Sequence, residues 1–220
     1  PPLEEVGVQV VGDVEPYELM KLRLLNASHQ AIAYLGYLAG YRYAHEVAGD
    51  DLFAGFTRAY MDREATPTLA PVPGVDLEDY KATLIERFAN PAIRDTLARL
   101  AAESSDRIPT WLVPVIRANL AAGGEIERSA LVVAAWARYA EGVDERGEPI
   151  EVVDTGRAED RIAAARRYPD EPLAFLVDRD LFGDLVDDDR FTAVYRRHLD
   201  TLHAHGARET VAALENHPNR

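Results

Sequence analysis

Cysteine is absent from the 220 residues, which removes disulfides, thiol nucleophiles and thiolate metal sites from consideration. Positive charge is scarce: 24 Lys and Arg stand against 38 Asp and Glu, a formal net charge of −14. Nucleic acids and anionic membranes are polyanions, so neither is expected as a partner. Apolar runs are short, and none approaches the roughly 18 residues a membrane-spanning helix needs. No charged-then-apolar leader is legible at the start, so the cytoplasm is the expected compartment. The chain also lacks GxGxxG, GxxxxGK[ST], GxSxG and HExxH, so it carries no recognisable phosphate cradle of its own.

What the chain does hold is helical pattern. Hydrophobic residues make up 47% and charged residues 28%, the balance of a globular domain long enough to bury a core. It begins Pro-Pro without Met, so a fragment of a longer protein is expected. Residues 16–40, PYELMKLRLLNASHQAIAYLGYLAG, open on a proline suited to a first helical position and are apolar on nearly every side. They are expected to form the central helix, running on toward Val47. Asp50 or Asp51 would cap a helix reaching Met61. Further helices are expected over 76–88, 93–100, 108–120 (behind the cap cluster Ser104-Ser105-Asp106), 127–140, 160–168, 171–177 and 189–205. Residues 66–74, with three prolines, and 142–156 read as loops, the latter with room for a short hairpin. One strand-like run, 6–11 (VGVQVV), would need partners from another chain or a preceding part. The fold class is all-α: a multi-helical single domain around the first long helix, with a short orphan N-terminal strand.

The polar residues of that central helix point to a site, since buried polar groups require partners. With Lys21 at zero on a helical wheel, His29 falls near about 80° and Asn26 near about 140°, while Gln30 and Arg23 lean away. A lysine among Leu19, Met20, Leu22 and Leu24 can be desolvated, which favours the neutral amine that takes a hydroxyl proton. The Asn26 amide can donate to a developing alkoxide, and His29 can orient a neighbouring hydroxyl. The competing reading is structural: Lys21 snorkels while Asn26 and His29 satisfy backbone groups. Gly36 and Gly40 continue the His29 face as small residues that admit a close helix. Asp178, Asp180, Gly183 and Asp189 partly mimic a calcium loop, but Phe182 stands where an oxygen ligand is needed, and Asp187 to Asp189 more simply cap the last helix. His198, His203 and His205 are expected on a solvated helix end, and Trp111 and Trp136 in the core.

Lys21-LRLL-Asn26-AS-His29 resembles the KxxxxNxxH signature of the polyol-specific long-chain dehydrogenases, the mannitol dehydrogenase family. Arg87-Phe88-Ala89-Asn90-Pro91 resembles that family's RFxNP segment, and residues 104–109 (SSDRIP) its S-[SQ]-K-[IL]-P segment. The resemblance extends from about Val6 to Gly206 and implies a C-terminal domain like that of 6-phosphogluconate dehydrogenase. Residues 1–15 would then end a preceding Rossmann-type domain that binds NAD or NADP, and 16–220 would be the substrate-binding, catalytic domain. By position, Lys21 would be the general acid/base, Asn26 half of an oxyanion-stabilising pair, His29 a substrate-hydroxyl contact, and Arg99 and Arg107 polyol contacts. Arg107 departs from the usual lysine, and a planar fork is not interchangeable with a point charge. The resemblance implies interconversion of a sugar alcohol and a ketose, D-mannitol and D-fructose, with no metal and a monomeric state. A hexuronate reductase of the same family and a non-catalytic helical interaction domain are the alternatives. Without the dinucleotide-binding part, the chain alone is expected to be inactive.

Overall fold

Aspartates start the early helices where the sequence places them. The Asp50 carboxylate accepts the Leu52 N–H at 3.0 Å, and Asp76 accepts those of Glu78 at 2.8 Å and Asp79 at 3.3 Å. These amides have no partner in a first helical turn, so the caps fix both starts. The computed structural model describes residues 2–216; Pro1 and residues 217–220, which the sequence reading places in the two terminal segments, lie outside the described residues.

Helix α1 (Glu15–Met20) runs into a π-helical turn (Lys21–Asn26) and then α2 (Ala27–Leu38). After α3 (Ala44–Ala48) and α4 (Asp51–Tyr60) comes a second π-helical turn (Met61–Ala65). Then follow α5 (Leu77–Phe88), α6 (Leu97–Ala101), α7 (Ser104–Trp111), α8 (Val113–Ala122) and α9 (Glu127–Ala140). The last elements are α10 (Ala158–Ala165), α11 (Arg179–Phe182) and α12 (Asp189–Asn216). Strand-type pairing among the described residues is confined to two isolated bridges, Tyr43 with Thr96 and Val143 with Pro149, so the fold is all-α. No helix among them is long and apolar enough to cross a membrane.

The core is centred on a pair of helices rather than one. All α2 residues but His29 and Tyr37 are buried, and α9 is buried from Arg128 through Ala140. Its polar residues are met individually. Glu64, fully buried in the second π-turn, accepts the Arg128 N–H at 2.6 Å, the Ser129 N–H at 2.8 Å and the Ser129 hydroxyl. One carboxylate thus caps the start of α9 from another element.

Several expectations are corrected. Residues 6–11 form no strand: a 3-10 turn (Leu3–Val6) and Gly7 at φ 85° replace its start, and Val8, Val10 and Val11 are exposed. With no neighbouring strand among the described residues, the ladder hydrogen bonds have no acceptor. The central helix stops at Leu38 because Gly40 adopts φ 97°, instead of continuing to Val47. Ser104 and Ser105 lie inside α7 rather than ahead of a helix, and Pro114 in the first turn of α8 separates the two. Residues 171–177 give only a 3-10 turn (Ala174–Leu176), and α12 runs past His205 to Asn216 across a kink at Gly206. His198 is buried against Glu127 at 3.0 Å, and His203 stacks on Tyr168 with Glu141 at 2.8 Å, so neither sits on a solvated end.

Gly36 supplies the close approach expected of it. A Cβ there would overlap the Cγ2 of Val47 on α3 and stand 3.2 Å from Cδ1 of Leu97 on α6. Gly36→Ala is therefore expected to destabilise the domain by about 1–3 kcal/mol through overpacking. A lower urea midpoint at unchanged slope would register it, and an unchanged midpoint would show that α3 and α6 give way freely.

Candidate functional site

The site begins with the π-turn. In an α-helix the Ala27 N–H would reach the Arg23 carbonyl; here it reaches back five residues to Leu22. The carbonyl passed over is taken by the Tyr60 hydroxyl, which donates to it at 3.0 Å from a fully buried position. The Arg23 guanidinium in turn donates to the Thr68 carbonyl at 2.6 Å, tying the turn to the segment after the second π-turn. Because the turn closes five residues back, Asn26 lies nearer to Lys21 around the axis than in an α-helix, and His29 follows three residues on along α2. The trio therefore shares a narrower arc than a uniform α-helical wheel allows. Lys21 is exposed, while Asn26 and His29 are half-buried. Among the described residues no hydrogen bond or ion pair engages the Lys21 ammonium, the Asn26 amide or the His29 ring, so all three are available. The expected desolvation of Lys21 is not supplied by the apolar side chains of this chain, because Leu24 and Met20 turn into the core and Lys21 away from it.

His29 opens onto a cavity of about 170 Å³ lined also by Leu25, Ala44, Leu84, Arg87, Phe88 and Asp95. Its ring centroid lies 4.6 Å from that of Phe88. Burial, with the charges of Arg99, Arg107 and Arg87 and against that of Asp95, lowers its pKa to about 4, so the imidazole is neutral near pH 7. A neutral ring can both donate to and accept from a hydroxyl.

The two arginines singled out by the resemblance stand beside this ring and beside each other. Arg99 holds Asp95 bidentately, with Nε at 2.6 Å from Oδ1, and is largely exposed. Arg107 donates from Nη1 to the carbonyls of Leu100 at 2.9 Å and Arg99 at 3.3 Å. Its guanidinium lies 5.6 Å from the ring centre of Trp111, which is half-buried as a platform and so departs from the core position expected of it. Trp136 does fill the core. Sequence reasoning missed Asp95 and gave Arg87 no site role; the Asp95–Arg99 spacing of four residues on either side of the α6 start was the available signal.

The calcium-like loop is occupied by protein groups. Asp178 caps α11 through the Asp180 N–H at 3.1 Å and pairs with Arg161 at 2.9 Å and Arg157 at 3.2 Å. Asp187 pairs with Arg179, and Asp188 accepts the Phe191 N–H at 2.8 Å to start α12. Guanidiniums thus neutralise Asp178 at the head of the loop, and Asp189 stands in the first turn of α12.

Comparison with known proteins identifies the family. The family profile described as mannitol dehydrogenase C-terminal domain matches residues 13–203. A mannitol 2-dehydrogenase of Phaeosphaeria nodorum is 44% identical over 216 residues, covering 96% of this chain and 37% of that protein. A mannitol 2-dehydrogenase of Pseudomonas fluorescens, solved as a ternary complex with NAD and D-mannitol, superposes with a TM-score of 0.93 at 45% identity. That match covers 98% of this chain and 44% of the solved one. A substrate-free D-sorbitol dehydrogenase superposes with a TM-score of 0.88 at 26% identity, over 96% of this chain and 43% of its own. The chain spans less than half the length of each of these relatives. On the profile match and these identities, the chain belongs to the mannitol dehydrogenase C-terminal domain family.

Proposed function

We propose that this chain is the substrate-binding, catalytic part of an NAD(P)-dependent polyol dehydrogenase that interconverts D-mannitol and D-fructose. The observation that carries the reading is the unengaged Lys21, Asn26 and His29 on one arc of the π-turn and α2, beside a guanidinium pair. Lys21 takes the proton from the reacting hydroxyl, or returns it to the ketone. Asn26 donates to the oxygen as negative charge develops there, and neutral His29 orients the adjacent hydroxyl. Arg99 and Arg107 hold the more distant hydroxyls of the polyol.

The dinucleotide, when bound, supplies the hydride acceptor or donor. The described residues contain no strand followed by a glycine-rich turn and a helix, so this chain does not offer a pyrophosphate cradle. We place the dinucleotide on the remaining part of the protein, as the longer relatives suggest, and read residues 1–15 as the end of that domain. The exposed Val6, Val8, Val10, Val11 and Val14 support this, since a run of uncovered apolar side chains marks a contact surface. That surface would also cover Lys21 and supply the desolvation its own chain does not.

A second reading, reduction of a hexuronate, draws on the three arginines around His29, with Asp95 the acid among them, because a carboxylate-bearing sugar calls for a spare cation. One experiment separates the possibilities. In the complete dehydrogenase, D-mannitol is expected to turn over in preference to a hexonate, and Lys21→Ala to lower kcat by about 10²–10⁴-fold with an altered pH profile. Preference for the hexonate selects the second reading, and an unchanged kcat removes both.

The state of His29 is testable on the chain itself. Its ring is expected to titrate near pH 4, against 6.5 for an unperturbed imidazole. Between those values the unfolded chain binds a proton that the folded chain refuses, so stability falls as pH is lowered through this window. Histidine ring resonances followed from pH 7 to 3.5 read it directly, and a midpoint near 6.5 would contradict the desolvation of the ring.

A further inference from the structure

Gln30, Tyr34 and Ser104 are polar, buried to within 1% of complete, and assigned no part in the chemistry above. Gln30 directly follows His29, Tyr34 lies one turn further along α2, and Ser104 opens α7 three residues before Arg107. The Tyr34 hydroxyl meets Gln30 Oε1 and Ser104 Oγ, and Ser104 Oγ also approaches the Ala101 carbonyl at 2.7 Å. These three contacts share two hydroxyl protons. Tyr34 donates to Gln30 Oε1, and the Ser104 proton goes either to Tyr34 or to the Ala101 carbonyl. With the Ser104 proton on Tyr34, the chain Ser104–Tyr34–Gln30 links α7 to α2. Burial pushes the Tyr34 phenol far up, which keeps its proton in place.

The second link runs through α6. Gln30 Nε2 donates to the Leu100 carbonyl at 3.1 Å, and the same carbonyl accepts from Arg107 Nη1 at 2.9 Å. Arg107 is therefore held at both ends: its helix is bonded to Tyr34, and its guanidinium rests on a carbonyl fixed by Gln30. We propose that Gln30, Tyr34 and Ser104 form a positioning network that sets the placement of Arg107, and through its carbonyl contacts Arg99, relative to His29. The proposal rests on the reading that this arginine pair holds the polyol.

Tyr34→Phe removes one hydroxyl and keeps the ring against Trp136 and Tyr139. In the full chain it is expected to leave cooperative unfolding intact and to shift the indole N–H resonance of Trp111, which lies beneath Arg107 on α7, away from Tyr34 on α2. In the complete dehydrogenase it is expected to raise KM for the polyol about tenfold, with kcat within about twofold, because ground-state binding is what the arginines supply. Ser104→Ala is expected to change both readouts in the same direction, and the double variant less than the sum of the two single ones, since both variants remove the Tyr34–Ser104 bond. A folded Tyr34→Phe chain with unchanged Trp111 resonance, unchanged KM, or strictly additive losses in the double variant would overturn the network. Should the wild-type enzyme oxidise no polyol, the catalytic reading falls separately, and the Trp111 resonance still decides whether Tyr34 positions Arg107.

Discussion

The hydroxyl of Tyr60 donates to a carbonyl that the helix itself leaves over, and the layout of the site depends on that bond. A buried carbonyl without a partner costs about 1–3 kcal/mol, enough to favour rewinding into an ordinary α-helix. With Tyr60 in place the wider turn at Lys21–Asn26 persists. Rewound, it would rotate Lys21 away from Asn26 and His29, and one small substrate could no longer meet all three. The feature that arranges the candidate catalytic groups is thus a backbone irregularity held from the neighbouring helix.

That neighbour ends in a π-turn of its own. Met61–Ala65 carries Glu64 into the interior, where it caps α9, the helix buried most completely. Two wide turns, packed side by side, therefore divide the work: one shapes the face that carries Lys21, Asn26 and His29, and the other fastens α9 into the core. The arginine side of the site is held differently, by side chains of α2 that fix α6 and α7. His29 lies between these two supports, which is why its surroundings combine apolar walls with three guanidiniums.

How much of this was legible in the sequence follows from which forces are local. Asp50 and Asp76 marked helix starts because a cap acts within three residues. Gly36 announced close packing, and Lys21, Asn26 and His29 carried a spacing that a single chain pattern displays. The strand at 6–11 failed because alternation of valines states a preference but cannot supply a partner. The π-turn was invisible, since its cause is a tyrosine 37 residues away and a 3.6-residue period was assumed throughout. His198 was misplaced for the same reason: its burial depends on Glu127, on another helix. Asp95 and the half-buried Trp111 each meet an arginine four residues away, so that spacing was legible, but their place beside His29 depends on how α6 and α7 pack on α2.

The central claim is that Lys21, Asn26 and His29 serve one substrate from one arc. It is tested most directly by a crystal structure of the complete dehydrogenase with a polyol and its dinucleotide bound. The expected result places the reacting hydroxyl about 2.6–3.2 Å from both the Lys21 ammonium and the Asn26 amide, with His29 on the adjacent hydroxyl. A polyol bound elsewhere, with Lys21 left facing solvent, would contradict the account.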